Sequence, residues 1–236
     1  MSSNVPDSRA VPEDRARRFI GVAIHAGHPY SSKFEHQSPI HCFEPLMQKQ
    51  KDIETPCQGQ IIVLVGLMGA GKSCVGRRIA QQLDIPFVDA DAEVEEAAGC
   101  SIADIFERYG EEEFRDGERR VIARLLEGPP SVLATGGGAF IDPQTRDLIK
   151  KNAVSVWLRA DLDTLVDRTS GRSHRPLLNG GNPRDVLSNL MDVRYPIYAE
   201  ADVTVDTGPD SANVTCGRVI NALLELEKCQ IETVRQ

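Results

Sequence analysis

The residues whose types and spacing most clearly indicate a chemical role are 66–73, Gly-Leu-Met-Gly-Ala-Gly-Lys-Ser. They have the G-x-x-x-x-G-K-S spacing of a phosphate-binding loop. The run follows an apolar strand-like segment at 61–65 and precedes a helical pattern at 74–80. Glycines let backbone N–H groups surround phosphate oxygens, and the helix N-terminus adds positive potential. Lys72 can then reach the β- and γ-phosphates while Ser73 ligates magnesium. The sequence therefore predicts a nucleoside triphosphate site.

Two carboxylates, Asp89 and Asp91, stand at the end of a second strand-like segment, 86–89. Ligands of parallel α/β sheets bind at this end of the strands, and strand alternation would direct both side chains the same way. One aspartate could hold a metal ion through water while the other accepts a proton from a hydroxyl. The alternative is that Asp91 merely caps a helix over 92–98. The nearby phosphate loop favours the functional interpretation.

Three consecutive glycines, 136–138, follow the apolar segment 131–135. Such a run costs chain entropy, so it indicates a close approach of the backbone to a ligand. Motor and switch NTPases usually carry an acidic residue after this strand to hold magnesium, and none is present here. An Asn-Lys-x-Asp guanine signature is also missing. These features favour a small-molecule kinase over a GTPase or an ATP-driven machine.

Arginines supply the cations that such a reaction needs. Arg168 closes a predicted helix, and the following segment 170–183 is rich in Gly, Ser, Asn and Pro and contains Arg175. This composition predicts a mobile lid whose arginine could stabilise charge on the transferred phosphoryl group. Arg115 and Arg194 lie in helical patterns, where arginines commonly form ordinary surface ion pairs. The pattern alone leaves their role open.

The composition excludes several classes of protein. The chain has 236 residues and a net charge of −8, which argues against a general nucleic-acid binder. Its apolar runs are strand-sized, so the sequence predicts no membrane span. Six cysteines without C-x-x-C spacing indicate free thiols in a reducing cytoplasm.

The chain divides into two unequal parts, 1–58 and 59–236. The first part has seven basic and seven acidic residues, four of the five histidines and no sustained apolar period. It is predicted to be a disordered N-terminal extension, and Met47 is an alternative translation start. From residue 60, strand patterns alternate with helical ones, which predicts a parallel α/β sheet. The predicted strands are 60–65, 86–89, 131–135, 153–158 and 202–205.

The ordered set of motifs resembles the shikimate kinase family, P-loop kinases of the pathway to chorismate and aromatic amino acids. The resemblance spans 60–228 and is far more specific than the phosphate loop alone. It implies a three-layer α/β fold of the nucleoside-monophosphate-kinase type, with a five-stranded parallel sheet and a mobile lid. The matching segments are 66–73, 87–91, 99–106, 110–115, 135–138, 175–178 and 194–202.

The resemblance also implies the reaction, in which ATP phosphorylates the 3-hydroxyl of shikimate. Asp91 would bind the shikimate hydroxyls, Arg115 and Arg194 its carboxylate, and Gly137 would contribute a backbone contact. Magnesium would be the cofactor, held by Ser73 and through water by Asp89. The enzyme would act as a monomer with no nucleic-acid or membrane partner.

The ATP site implied by the resemblance lies on the phosphate loop and on two arginines. Lys72, Asp91 and Arg175 would be catalytic, with Lys72 and Arg175 neutralising the phosphates and Arg168 lying against adenine. The implied ATP-binding residues are Gly69, Ala70, Gly71, Lys72, Ser73, Cys74, Arg168 and Arg175.

Two alternatives remain at this point. Another small-molecule P-loop kinase, such as a gluconate or nucleotide kinase, could share this pocket. A non-catalytic ATP-binding regulatory module belongs to a different class. It would be expected to lack Lys72, Asp91 or Arg175, and all three are present.

Overall fold

A computed structural model of the chain describes Phe19, Cys57 and residues 59–170 and 182–234. Most of the predicted extension, including Met47, lies outside the described residues. So does the interior of the predicted lid with Arg175. Disorder of the extension and mobility of the lid therefore stay predictions.

The fold is built on a five-stranded sheet in the order β2-β3-β1-β4-β5, with every neighbouring pair parallel. All five predicted strands are confirmed, and the last two run two residues further than predicted. The strands are β1 (Ile61–Val65), β2 (Phe87–Asp89), β3 (Val132–Ala134), β4 (Ala153–Ala160) and β5 (Val203–Thr207).

Helices connect these strands, as the alternating pattern predicted. They are α1 (Lys72–Leu83), α2 (Ala90–Ala98), α3 (Ile102–Leu126), α4 (Pro143–Asn152), α5 (Leu162–Thr169), α6 (Pro183–Tyr198) and α7 (Ala212–Val234). The helix predicted over 92–98 begins at Ala90, and α3 is kinked at Gly110, where φ is 86°. No helix in the described part of the chain is long and apolar enough to cross a membrane.

The central strand shows why the architecture has three layers. All five residues of β1 are buried. Successive side chains of a strand point to opposite faces, so both faces of the sheet must be covered. Helix α1 packs on α7, and α3 packs on α4. The α/β P-loop kinase fold expected from the sequence is confirmed.

The register of the sheet brings the chemistry-bearing segments to one edge. Leu64 of β1 pairs with Ala134 of β3, and Asp89 of β2 pairs with the same Ala134. The phosphate loop, the three glycines and Asp89 therefore follow the ends of three adjacent strands. This is the edge at which ligands of parallel sheets bind.

Two described residues of the predicted extension are buried. Cys57 belongs to the main core, where burial raises the pKa of its thiol to about 11. Phe19 belongs to a second, smaller hydrophobic cluster between α2 and α3. These two residues do not fit an extension without packing, while the domain boundary at residue 58 stays a prediction.

A capping box begins α3. Ser101 Oγ accepts a hydrogen bond from the backbone N–H of Asp104 at 3.1 Å, and Asp104 Oδ2 accepts one from the backbone N–H of Ser101 at 3.3 Å. The helix carries Arg115, so its start bears on the site. The Ser-x-x-Asp spacing alone predicts such a cap.

We expect Ser101→Ala to lower the free energy of unfolding by about 1 kcal/mol, because a backbone donor loses its partner. Urea denaturation of the ligand-free protein measures this loss. Ser101→Thr is the matched control, since threonine keeps the accepting oxygen. Equal losses in the two variants would contradict the capping role.

Candidate active site

The phosphate loop joins β1 to α1 through a tight backbone path. Gly71 has a φ of 99°, a conformation that side chains other than glycine rarely adopt. Lys72 is the first residue of α1, and its Nζ donates to Gly66 O at 2.7 Å and to Leu67 O at 3.1 Å. The ammonium group is therefore held over the loop, where phosphate oxygens would sit.

Two oxygens suited to magnesium meet beside this loop. Ser73 Oγ donates a hydrogen bond to Asp89 Oδ2 at 2.9 Å. Mg²⁺ prefers oxygen ligands and is usually bound by one or two protein groups together with substrate phosphates. The hydroxyl of Ser73 and the carboxylate of Asp89 fit that requirement.

Asp91 reaches the site differently from the way strand alternation predicted. Strand β2 ends at Asp89, and Asp91 lies in the first turn of α2. Asp89 caps that helix, because its Oδ1 accepts from the backbone N–H of Asp91 at 3.2 Å. The alternative in which Asp91 is only the helix cap is therefore wrong. Both carboxylates line one cavity, as expected.

Asp91 is exposed to the cavity, although many protein atoms lie around its carboxyl group and partly desolvate it. This desolvation, and then the negative charge of Asp89, raise the pKa of Asp91, while Lys72 and Arg115 oppose the rise. A raised pKa moves a carboxylate toward the range in which a general base works best. Asp91 is thus suited to accept a proton from a hydroxyl.

The three glycines make room for charged side chains. A Cβ at Gly136 would lie 2.7 Å from Asp91 Oδ1 and 3.0 Å from Glu118 Oε1. A Cβ at Gly138 would lie 2.3 Å from Arg115 Nη2. The sequence predicted close approach to a ligand, whereas at these two positions the neighbours are side chains of the site itself. The glycines let these charged side chains lie against the end of β3.

Gly137 is the one of the three glycines that lines the cavity. Its carbonyl oxygen accepts a hydrogen bond from Arg194 Nη1 at 3.1 Å and another from the hydroxyl of Tyr198. Both donors lie on α6. Burial raises the pKa of Tyr198 to about 12, which keeps its hydroxyl protonated as a donor. These bonds fix Arg194 at the cavity edge.

Arg115 is held by an ion pair on α3. Its Nη1 lies 2.6 Å from Glu118 Oε2, and its Nη2 lies 3.3 Å from Oε1 of the exposed Glu111. Glu118 is only 2% exposed. Burial raises the pKa of Glu118, and the charge of Arg115 opposes this rise. The pair therefore keeps the guanidinium beside Gly138.

Sequence reasoning missed Glu118 and Tyr198. The i,i+3 spacing of Arg115 and Glu118 and the i,i+4 spacing of Arg194 and Tyr198 place each pair on one helix face. These spacings are the available signal, but they occur on many solvent-exposed helices. Only the folded chain distinguishes them.

Arg168 lies at the far end of the phosphate loop. Its Nη1 donates to Gly69 O and to Ala70 O, each at 3.4 Å, and its Nη2 donates to Gly208 O. The guanidinium therefore bridges the loop and the segment after β5. Such a planar group offers a surface on which a nucleobase can stack.

One cavity joins most of these groups. Its volume is about 820 Å³, within the usual range for small-molecule sites. Its lining includes every predicted ATP and metal residue in the described part of the chain, together with Asp91 and Gly137. Arg115 and Arg194 stand behind the three glycines at its edge. The predicted lining residues are Gly69, Ala70, Gly71, Lys72, Ser73, Cys74, Asp89, Asp91, Gly137 and Arg168.

A family model described as shikimate kinase matches residues 68–224. The chain belongs to the shikimate kinase family. The shikimate kinase of Paramagnetospirillum magneticum is 61% identical over 173 residues, which cover 72% of this chain and 89% of that protein. The shikimate kinase of Caulobacter vibrioides (strain NA1000 / CB15N) is 57% identical over 168 residues, covering 71% and 84%.

Solved structures give the same result. A shikimate kinase from Acinetobacter baumannii in complex with shikimate matches with a TM-score of 0.68 at 37% identity, covering 70% of this chain and 93% of that one. The enzyme from Aquifex aeolicus matches with a TM-score of 0.61 at 33% identity, covering 69% and 95%. A gluconokinase from Sinorhizobium meliloti, at 19% identity and a TM-score of 0.53, shares the fold alone.

Because the folded-state pKa of Asp91 is raised, its ionised form costs folding free energy at neutral pH. We expect Asp91→Asn to stabilise the ligand-free protein at pH 7. The gain should shrink as the pH falls through the raised pKa and vanish below the ordinary value of 3.8, where the carboxyl is protonated in both states. Thermal unfolding measured at several pH values tests this.

The matched control is Asp192→Asn, the same chemical change on an exposed position of α6. It should leave the melting temperature nearly unchanged at each pH. If Asp91→Asn also left the melting temperature unchanged at pH 7, the raised pKa assigned to Asp91 would be wrong.

Proposed function

We propose that this shikimate kinase-family protein transfers a phosphoryl group from ATP to the 3-hydroxyl of shikimate, giving shikimate 3-phosphate and ADP. The reaction belongs to the pathway to chorismate and aromatic amino acids. The observation that carries the proposal is the meeting of three groups at one sheet edge. These are a phosphate loop, a carboxylate with a raised pKa and two arginines held beside the triple glycine.

The substrate end of the site matches a polyol acid. Shikimate carries a carboxylate, which Arg115 and Arg194 would bind with their forked donors. Its hydroxyls need an acceptor, and Asp91 lines the same cavity. Gly137 would offer backbone contact between the two arginines and the loop. The site would thus offer two arginines to the carboxylate of shikimate and one aspartate to its hydroxyls, which complements the charge and the donors of this substrate.

The transfer itself needs position and charge more than covalent chemistry. Asp91 would accept the proton of the attacking hydroxyl as the bond to phosphorus forms. Lys72 would neutralise charge on the phosphates from its place over the loop. Arg175, in the predicted lid outside the described residues, would contribute a second positive charge.

Magnesium would be held by Ser73 and, through water, by Asp89. When bound it would supply positive charge that offsets the negative charge of the phosphates. The Ser73–Asp89 hydrogen bond keeps both oxygens at the phosphate end of the cavity. Asp91, in the first turn of α2, is left for the substrate.

Arg168 would lie against adenine, because it spans the loop and the segment after β5. We expect the enzyme to act as a monomer. Cys57, Cys74, Cys100 and Cys216 are free thiols, which supports a cytoplasmic enzyme.

A coupled assay of ADP release tests the proposal with shikimate, gluconate and nucleoside monophosphates as acceptors. We expect activity with shikimate alone. Lys72→Ala should lower turnover by at least about 10²-fold, because a preorganised positive charge at the phosphates is lost. Its melting temperature shows whether the fold survives. Activity with gluconate instead, or near-normal turnover of a folded Lys72→Ala protein, would contradict the proposal.

Arg194→Ala should weaken shikimate binding by about 30- to 150-fold, the effect of losing one charge-assisted partner in a partly desolvated pocket. ATP binding should change little. Titration of the variant with each ligand, followed by fluorescence of Trp157, measures both affinities. Trp157 is the chain's only tryptophan, and its ring lies 6.0 Å from that of Tyr198. Arg184→Ala, on an exposed position of the same helix, is the matched control.

Arg115→Ala should show the same ligand selectivity and also a lower melting temperature, because Glu118 loses its partner while buried. Adding Glu118→Gln should recover part of the stability without recovering shikimate affinity. Equal loss of both ligands in the two arginine variants would indicate a collapsed site.

A further inference from the structure

The second hydrophobic cluster joins the N-terminal part of the chain to the helices of the site. Phe19 is only 7% exposed, and its ring is buried between α2 and α3. The other buried members are Val94, Ala98, Ile105, Phe114 and Val121. A residue from the predicted extension thus completes a core that α2 and α3 would otherwise leave open.

The ring of Phe19 occupies a slot formed by the absence of a side chain at Gly117. A Cβ built at Gly117 would lie 2.2 Å from both Cε1 and Cζ of Phe19. The three nearest heavy atoms to that Cβ all belong to the Phe19 ring. Glycine is unfavourable inside a helix, so its presence in α3 is explained by the ring that lies against it.

This slot lies next to residues of the proposed substrate site. Gly117 precedes Glu118, and the buried Phe114 precedes Arg115, whose guanidinium carbon lies 4.9 Å from the Phe114 ring centre. On the other helix, Val94 of the same cluster is one turn from Asp91. The surface of α2 and α3 that Phe19 covers therefore adjoins the surface that carries the charged groups.

We propose that the N-terminal segment docks onto its own kinase domain through Phe19, and that this contact positions α2 and α3 for substrate binding. The occupant of the slot is this chain's own segment rather than another molecule. Phe19 is a positioning residue that acts through α3. The effect on shikimate rests on the proposed function, whereas the docking itself does not.

The docking is tested by a thermal unfolding cycle in the full chain. Phe19→Ala should lower Tm by about 5–10 °C, the effect of emptying a buried aromatic site. Gly117→Ala should lower Tm in the wild type, because the new methyl group collides with the ring. In the Phe19→Ala background the same change should raise Tm by about 1–4 °C, since alanine favours helix and the ring is gone.

Gly217→Ala is the matched control for the glycine change. Gly217 also lies in a helix, α7, but a Cβ there would meet nothing within 4 Å. It should raise Tm by a similar amount in both backgrounds. If Gly117→Ala also has the same sign in both backgrounds, Phe19 does not occupy the slot and the proposal is overturned.

The effect of Phe19 on the position of α2 and α3 is tested by the KM values for the two substrates. Phe19→Ala should raise the KM for shikimate by about 2- to 30-fold, the range for changes that act on a site through packing, and leave the KM for ATP nearly unchanged. Phe19→Leu should recover part of the shikimate affinity because it refills part of the slot. Equal changes for both substrates, or none for shikimate, would overturn the positioning role.

The two proposals fail in different ways. If shikimate is not the substrate, the wild-type protein will not phosphorylate it, yet the unfolding cycle still reports on Phe19. If Phe19 does not dock, Gly117→Ala will change Tm in the same direction in both backgrounds, while shikimate phosphorylation by the wild-type protein is unaffected.

Discussion

The absence of β-carbons at the end of β3 is the constraint on which the site depends. With a side chain at Gly136 or Gly138, the Cβ would overlap Asp91, Glu118 or Arg115. The carboxylates of Asp91 and Glu118, or the guanidinium of Arg115, would then have to leave their present positions. The charged groups of the two helices can lie where they do, beside the phosphate loop, because the backbone between them carries no side chains.

This close approach has an electrostatic consequence. Asp91 and Glu118 are drawn into a partly desolvated region, and burial raises the pKa of each. Lys72 and Arg115 offset part of this cost for Asp91. A site prepared for a polyol acid and a triphosphate therefore concentrates charges that would be more stable apart. These buried charges lower the free energy of unfolding, but they place hydrogen-bond acceptors and cations in position before the ligands bind.

Helix α3 links that site to the N-terminal part of the chain. One of its faces carries the ion pair of Arg115 and Glu118, and another face packs on Phe19 at Gly117. The same requirement for a missing β-carbon thus occurs twice, once for charged groups and once for an aromatic ring. The sequence-based prediction of a disordered extension did not include this contact, because a single aromatic residue in an irregular segment carries no periodic signal.

Local sequence determined the strands, the phosphate loop, the capping box at Ser101 and the fold class, because each depends on residues that are close in the chain. The placement of Asp89 and Asp91 near the phosphate loop followed from the sheet edge that parallel strands share, whereas the assignment of Asp89 to the metal site came only from the family resemblance. Sequence patterns alone could not assign Arg115 and Arg194, which became candidates only through the family resemblance. Tertiary structure decided that Asp89 rather than Asp91 caps α2, that Glu118 and Tyr198 hold the two arginines, and that Phe19 is buried. The physical reason is that these contacts join distant segments, whose approach is set by packing and by the space that glycines leave.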